Sequence, residues 1–197
     1  MRRNYHISFD IVFLNGPSSS GKSAVARELQ DLLESCYLHL GIDTFIGMMP
    51  SKANRLSESE GKSEGFYFEE CVVDKIQAYR VRSGRLGLLV NQTYRETVKL
   101  IASKGIGVLV DDVIDGGNEW QKWQRVLSNY TVLKVGLYCE EAILASREIK
   151  RGDRRLGSAI DQARRVHVGM EYDLVVDTST MSSIVCARTI FDHITNI

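Results

Sequence analysis

A strand that feeds a glycine-rich loop and then a helix leaves a chain few folds to choose from. Gly16-Pro17-Ser18-Ser19-Ser20-Gly21-Lys22-Ser23 is a complete GxxxxGK[ST] loop in that setting. The apolar run Ile11-Val12-Phe13-Leu14 precedes it, and the helix-like stretch Ser23 to Glu34 follows. Such a loop turns successive backbone N–H groups toward one concavity, where the helix dipole also favours negative charge. The pattern predicts that Lys22 reaches the β- and γ-phosphates of a nucleotide and that the Ser23 hydroxyl holds a magnesium ion.

Composition narrows the setting of this loop. At 197 residues the chain fits one domain, 1–197, large enough for a substantial core. No apolar run is long enough to cross a bilayer, so no membrane partner is expected. Lys plus Arg and Asp plus Glu both total 25, which leaves no global basic field to suggest nucleic acid as a partner. Arg2 and Arg3 precede the first apolar stretch, but Asp10 interrupts it and it runs straight into the phosphate loop, so no cleaved signal is read. Cys36, Cys71, Cys139 and Cys186 have no metal-site spacing and read as free thiols of a cytoplasmic protein.

Strand and helix patterns alternate along nearly the whole chain. Ile7 to Leu14, Tyr37 to Ile42, Ile106 to Val110, Thr131 to Tyr138 and Tyr172 to Val176 read as strands. Ser23 to Glu34, Leu86 to Ser103, Trp120 to Leu127, a stretch from Glu140 through Arg151, and Ile184 to Ile194 read as helices. Near-continuous apolar strands separated by helices imply an α/β fold in three layers, with a parallel sheet covered on both faces and ligands at the carboxyl ends of its strands. Asp43, Asp111 and the phosphate loop fall at that edge. Two segments break the alternation: residues 51–84, expected to form a substrate-side excursion with a short hairpin, and a basic, glycine-broken stretch within a lid at about 147–158.

Phosphoryl transfer needs a phosphate cradle, a metal, cations on the transferring group and something to orient the attacking oxygen. Asp111 ends an apolar strand, where a carboxylate can hold magnesium or its water. Asp112 follows it on the opposite face and is a candidate acceptor contact. Arg151 and Arg154 are candidate lid arginines, with Arg147 and Arg155 nearby. Asp43 lies across the expected cleft from the loop, where it could hold an acceptor hydroxyl and take its proton; the alternative is a cap on the following turn. Phe45, Met48, Met49, Phe66 and Phe68 would favour an apolar acceptor if they line the cleft. His39 and His167 read as packed or hydrogen-bonded residues.

With these residues in place, the chain resembles the chloramphenicol phosphotransferase family of P-loop kinases. The resemblance runs through GPSSSGKS at Gly16 to Ser23, GIDTFIGMMP at Gly41 to Pro50, VDDV at Val110 to Val113, RxxxRGDR from Arg147 to Arg154, and VHVGMEYDLVVDT from Val166 to Thr178. It implies a five-stranded sheet in the order 2-3-1-4-5, ATP and Mg2+ as phosphoryl donor and metal, and a small hydroxylated acceptor. It also implies that Asp43 is the base that orients the hydroxyl, that Arg151 and Arg154 lie over the phosphates, and that the Asp177-Thr178 loop lies near the adenine. Two other readings stay open: a nucleoside, nucleotide or sugar kinase using Lys62, Lys75, Arg80, Arg82 or Arg85 on a phosphorylated acceptor, and a nucleotide-binding regulatory module. Neither an NKxD nor an LSGGQ sequence is present.

Overall fold

In the computed structural model, which describes residues 9–56, 61–151 and 155–196, strands and helices alternate as the periodicity requires. The chain runs β1 (Ile11–Asn15), α1 (Lys22–Leu32), β2 (Tyr37–Gly41), α2 (Ile42–Met48), β3 (Phe66–Val73), β4 (Ile76–Ser83) and α3 (Arg85–Ala102). It continues through β5 (Gly107–Asp112), α4 (Gly116–Val126), β6 (Val132–Tyr138), α5 (Glu141–Arg151), α6 (Ser158–Ala163), β7 (Leu174–Asp177) and α7 (Ser183–Thr195). Five strands form one parallel sheet in the order β2-β5-β1-β6-β7. Numbered within that sheet alone, this is the 2-3-1-4-5 order. No helix among the described residues is long and apolar enough to cross a membrane.

Alternation within the central strand splits the core into two layers. Val12 and Leu14 of β1 pack with Val25 and Leu29 of α1 and with Cys186 and Ile190 of α7. Ile11 and Phe13 face the other way, among Tyr94, Val98, Trp120 and Trp123 of α3 and α4. Phe13 meets Trp120 and Trp123 edge-on, with centroids 5.1 and 5.0 Å apart, the arrangement that the ring quadrupoles prefer. The sheet is therefore covered on both faces, and its strands end at one open edge.

Several expected boundaries move, for local reasons. The first strand begins at Ile11 because the Asp10 carboxylate turns aside to accept hydrogen bonds from the Thr131 N–H and hydroxyl at 2.7 and 2.8 Å; Ile7 lies outside the described residues. Ile42 opens α2 instead of ending β2. Tyr172 precedes β7, its hydroxyl occupied by the Asn15 side chain and His167. The excursion holds a long hairpin in which β3 and β4 pair from Phe66↔Ser83 to Val73↔Ile76. Its tip, Asp74-Lys75, has φ of 47° and 68°, the doubly left-handed turn that matches strand twist.

Candidate active site

The phosphate loop is strained where it needs to be. Gly21, the N-cap of α1, adopts φ 91°, and Ser19 adopts φ 62°; together they turn the loop back over the helix start. Gly16 is pressed against β6: a Cβ there would lie 2.6 Å from the Leu137 carbonyl oxygen. Pro17 O accepts both Ser20 N–H at 3.2 Å and the Lys22 ammonium at 2.9 Å. Among the described residues, the Ser19 and Ser20 hydroxyls are buried with no hydrogen-bond partner. Buried polar atoms are rarely left so; Ser19 lines the cavity, where a phosphate oxygen would supply its missing partner, whereas Ser20 does not line it.

Register sets the opposite wall. Asp111 pairs with Leu14 on one side and Gly41 on the other, so its carboxylate stands at the strand ends beside the loop. It accepts from the Ser23 hydroxyl at 2.5 Å, approaches His39 Nε2 at 3.4 Å and lies 4.0 Å from Lys22 Nζ. Burial works to raise its pKa, but the His39 contact, Lys22 and Ser23 together hold it below the ordinary carboxylate value. The Ser23 hydroxyl and the Asp111 carboxylate are adjacent hard oxygen donors, a set that suits Mg2+, which keeps waters and phosphate oxygens in the rest of its shell. Asp112 is buried and accepts from Val113 N–H at 2.8 Å. Burial, opposed by that hydrogen bond and reinforced by Asp111, pushes its pKa up to about 7.

One cavity of about 920 Å³ joins the loop to the excursion. Ser18, Ser19, Gly21, Lys22, Ser23, Asp111, Arg147 and Arg151 line its phosphate end, and Asp43, Asp112, Leu56, Phe66, Phe68 and Val81 line the other. Asp43 is the second residue of α2, whose N-cap is Gly41, so Asp43 is not the cap that one sequence reading allowed. Arg147 and Arg151 sit one turn apart on α5, on the same face. Arg147 also donates to the Thr178 carbonyl at 2.8 Å. Arg154 lies outside the described residues, and so does the part of the lid around it.

Three residues expected as acceptor contacts do not line this cavity. Phe45 is turned into the core, 5.1 Å from the Tyr94 ring, because α2 packs that face on α3. Met48, 68% exposed, lies on the outer side of α2, and Met49 lies against Gly65 at the base of the hairpin; neither lines the cavity. Thr178 is buried, with its hydroxyl on Tyr138 O at 3.1 Å, and Asp177 caps Ser179 N–H at 2.8 Å; neither lines the cavity either. Arg155 stacks over the Tyr79 ring at 3.8 Å, away from the phosphate loop.

Sequence reasoning missed the polar half of the cavity. Glu119 of α4 accepts from Arg95 at 2.9 Å and Lys122 at 2.6 Å. Arg165 bonds Asp161 and Asp115, and Gln162 Oε1 accepts from Ser18 N–H at 2.6 Å. The Lys122 and Glu119 spacing on α4 was the one available signal. The VHVGMEYD stretch resolves into a structural network: Asn15 donates to Val166 O at 2.9 Å and to the Tyr172 hydroxyl at 2.8 Å, which lies 2.7 Å from His167 Nδ1.

Comparison with known proteins identifies the family and the fold. The family model described as chloramphenicol phosphotransferase-like protein matches residues 9–195. Mycobacterium tuberculosis proteins from strains CDC 1551 and H37Rv, named by inference as O-phosphotransferases, are each 33% identical over 172 residues, spanning 86% of this chain and 75% of theirs. The Deinococcus radiodurans tunicamycin resistance protein is similar with a TM-score of 0.60 at 14% identity, over 93% of this chain and 94% of that one. A Sinorhizobium meliloti gluconokinase gives 0.59 at 13% identity, over 97% and 94%. At such identities the likeness is one of fold, that of the P-loop kinases.

Proposed function

The chain belongs to the chloramphenicol phosphotransferase-like family of P-loop kinases, and from that membership we propose that it moves the γ-phosphoryl group of ATP to a hydroxyl of chloramphenicol or an alcohol of similar build. The observation that carries the reading is the shared cavity: the phosphate loop, Asp43 and the apolar inner face of the hairpin open onto one space.

In this reading, loop N–H groups and the Ser19 hydroxyl cradle the phosphates, and Lys22 neutralises the β- and γ-oxygens. Ser23 and Asp111 would hold Mg2+, which would supply positive charge beside the transferring group. Asp43 receives the acceptor hydroxyl and holds its proton at the carboxylate, and Arg147 and Arg151 face the phosphates from α5. A loose transition state asks mainly for this positioning.

The charge pairing favours an uncharged acceptor. Each of the cations Arg82, Arg95, Lys122 and Arg165 on the acceptor side already pairs with a carboxylate: Glu69, Glu119 for both Arg95 and Lys122, and Asp161 with Asp115. A phosphorylated acceptor would have to compete for them. Arg80 is engaged with Asp161 and does not line the cavity. An acceptor with an apolar body against Phe66, Phe68 and Val81, and hydroxyls toward Asp43 and Asp112, fits this lining.

The test is a screen of chloramphenicol beside sugars, nucleosides and phosphorylated acceptors with ATP and Mg2+, read by product mass. The reading expects one phosphoryl group gained by chloramphenicol or an aryl alcohol. Turnover confined to phosphorylated acceptors would overturn it.

A further inference from the structure

The hairpin that walls the acceptor end is tied along its length to the end of the lid and the segment that follows it. At its tip Asp74 bonds Arg164, in the middle Tyr79 lies under Arg155, and Arg80 reaches Asp161. Asp161, on α6, is wholly buried. Arg80 donates to its Oδ1 from Nη2 at 2.7 Å and from Nε at 3.2 Å. Arg165 donates to its Oδ2 from Nε at 2.9 Å and Nη2 at 2.7 Å, and uses its remaining nitrogen on Asp115 at the start of α4.

The next residue carries the connection to the loop. Gln162 accepts the Ser18 N–H at 2.6 Å, so consecutive residues of α6 hold the hairpin and the phosphate loop. The start of α6 is fixed in turn by buried Glu148 of α5, which accepts from Gly157 N–H at 2.7 Å, the Ser158 hydroxyl at 2.7 Å and Ala159 N–H at 3.0 Å. That same helix presents Arg147 and Arg151 to the cavity.

Stability alone does not call for such a bridge. Well-packed apolar side chains in place of a buried ion pair are often neutral or stabilising, and the best-attested use of a buried charge cluster is to fix one arrangement of the elements it joins. Here the joined elements are the two halves of one site. We infer that Asp161 is a positioning residue that, with Arg80, Arg165 and Gln162, locks the acceptor-side hairpin to the phosphate loop so that nucleotide at the loop sets the acceptor wall. This rests on the reading that the loop binds ATP, and not on which alcohol is the acceptor.

The test is amide hydrogen exchange on the full chain with and without adenylyl imidodiphosphate and Mg2+, which needs no acceptor. In the unaltered protein, nucleotide should slow exchange several-fold both in the loop, residues 16–23, and in the hairpin, residues 66–83. Arg80→Met should keep the loop protection and lose that of the hairpin, and Arg80→Lys should recover part of it. Gln162→Met, which breaks the other link and leaves the ion cluster intact, should also remove the hairpin response, and it serves if Arg80→Met fails to fold. A hairpin that ignores nucleotide in the unaltered protein, or that still responds as strongly in Arg80→Met and Gln162→Met as in the unaltered protein, overturns the inference. Absent loop protection would instead defeat the nucleotide reading, and the coupling with it.

Discussion

The Ser23 hydroxyl donates to Asp111 Oδ2 across 2.5 Å, joining the last residue of the phosphate loop to the end of the neighbouring strand. Two oxygens from segments 88 residues apart are thus presented together at the mouth of the loop. Removing either should weaken metal use without unfolding the chain. Ser23→Ala and Asp111→Asn should each raise the Mg2+ concentration for half-maximal transfer by about tenfold or more. A magnesium titration of the initial rate checks this; an unchanged midpoint in both variants would assign the pair to structure alone.

Asp43 lies in the first turn of α2 and lines the same cavity as the loop. Asp43→Asn should bind ATP and acceptor yet lower kcat by roughly a hundred- to ten-thousand-fold if the carboxylate takes the proton. If it only orients the hydroxyl, Asn should retain much of the rate and Asp43→Ala should lose it, since a loose transition state tolerates late deprotonation. Saturating kinetics on both variants separate these roles. Near-normal transfer in both would remove Asp43 from the mechanism.

Phe45 packs on Tyr94 in the core, so its loss should be felt in stability and not in acceptor contact. Phe45→Ala should cost about 3 to 5 kcal/mol in denaturant unfolding, as buried aromatic truncations do. At a temperature where the variant is folded, its acceptor KM should stay near the unaltered value. A raised KM with little loss of stability would return Phe45 to the acceptor wall.

Burial, and then the charge of Lys22, hold His167 down to about 4, against an ordinary value of 6.5. Between those values the unfolded chain binds a proton that the folded chain does not, so stability rises with pH across the window and is lost as pH falls from 6.5 toward 4. His167→Phe keeps a ring beside Tyr138 and removes the titration. Unfolding free energies measured across that window should show a shallower pH slope in the variant. Equal slopes would mean that His167 does not contribute to it.

The fold was legible because its signals are local. Gly21 at φ 91° is readable from the eight residues of the loop and the strand from the apolar run just before it, and the alternation of strands and helices fixes the parallel sheet. Asp43 and Asp111 were legible because ligands collect at strand ends. The misplaced residues depended on a packing direction: α2 is a single short helix, and only its contact with α3 decides that Phe45 turns inward and Met48 outward. The hairpin tip uses Asp74-Lys75 where Asn-Gly would have announced the turn. Gln162 was invisible because its partner is a backbone N–H 144 residues away, and α6, six residues long, has too little periodicity to be seen.

The central claim is that this cavity transfers a phosphoryl group to an alcohol. It is tested most directly by following the label of γ-labelled ATP in the presence and absence of chloramphenicol, with Lys22→Met alongside. The account predicts label on the acceptor oxygen, ADP release over many turnovers that depends on the acceptor, and neither in Lys22→Met, whose ammonium lies between the loop and Asp111. ADP release at one slow rate whether or not an acceptor is present, with no alcohol labelled across the screen, would contradict it and leave a nucleotide-binding module in its place.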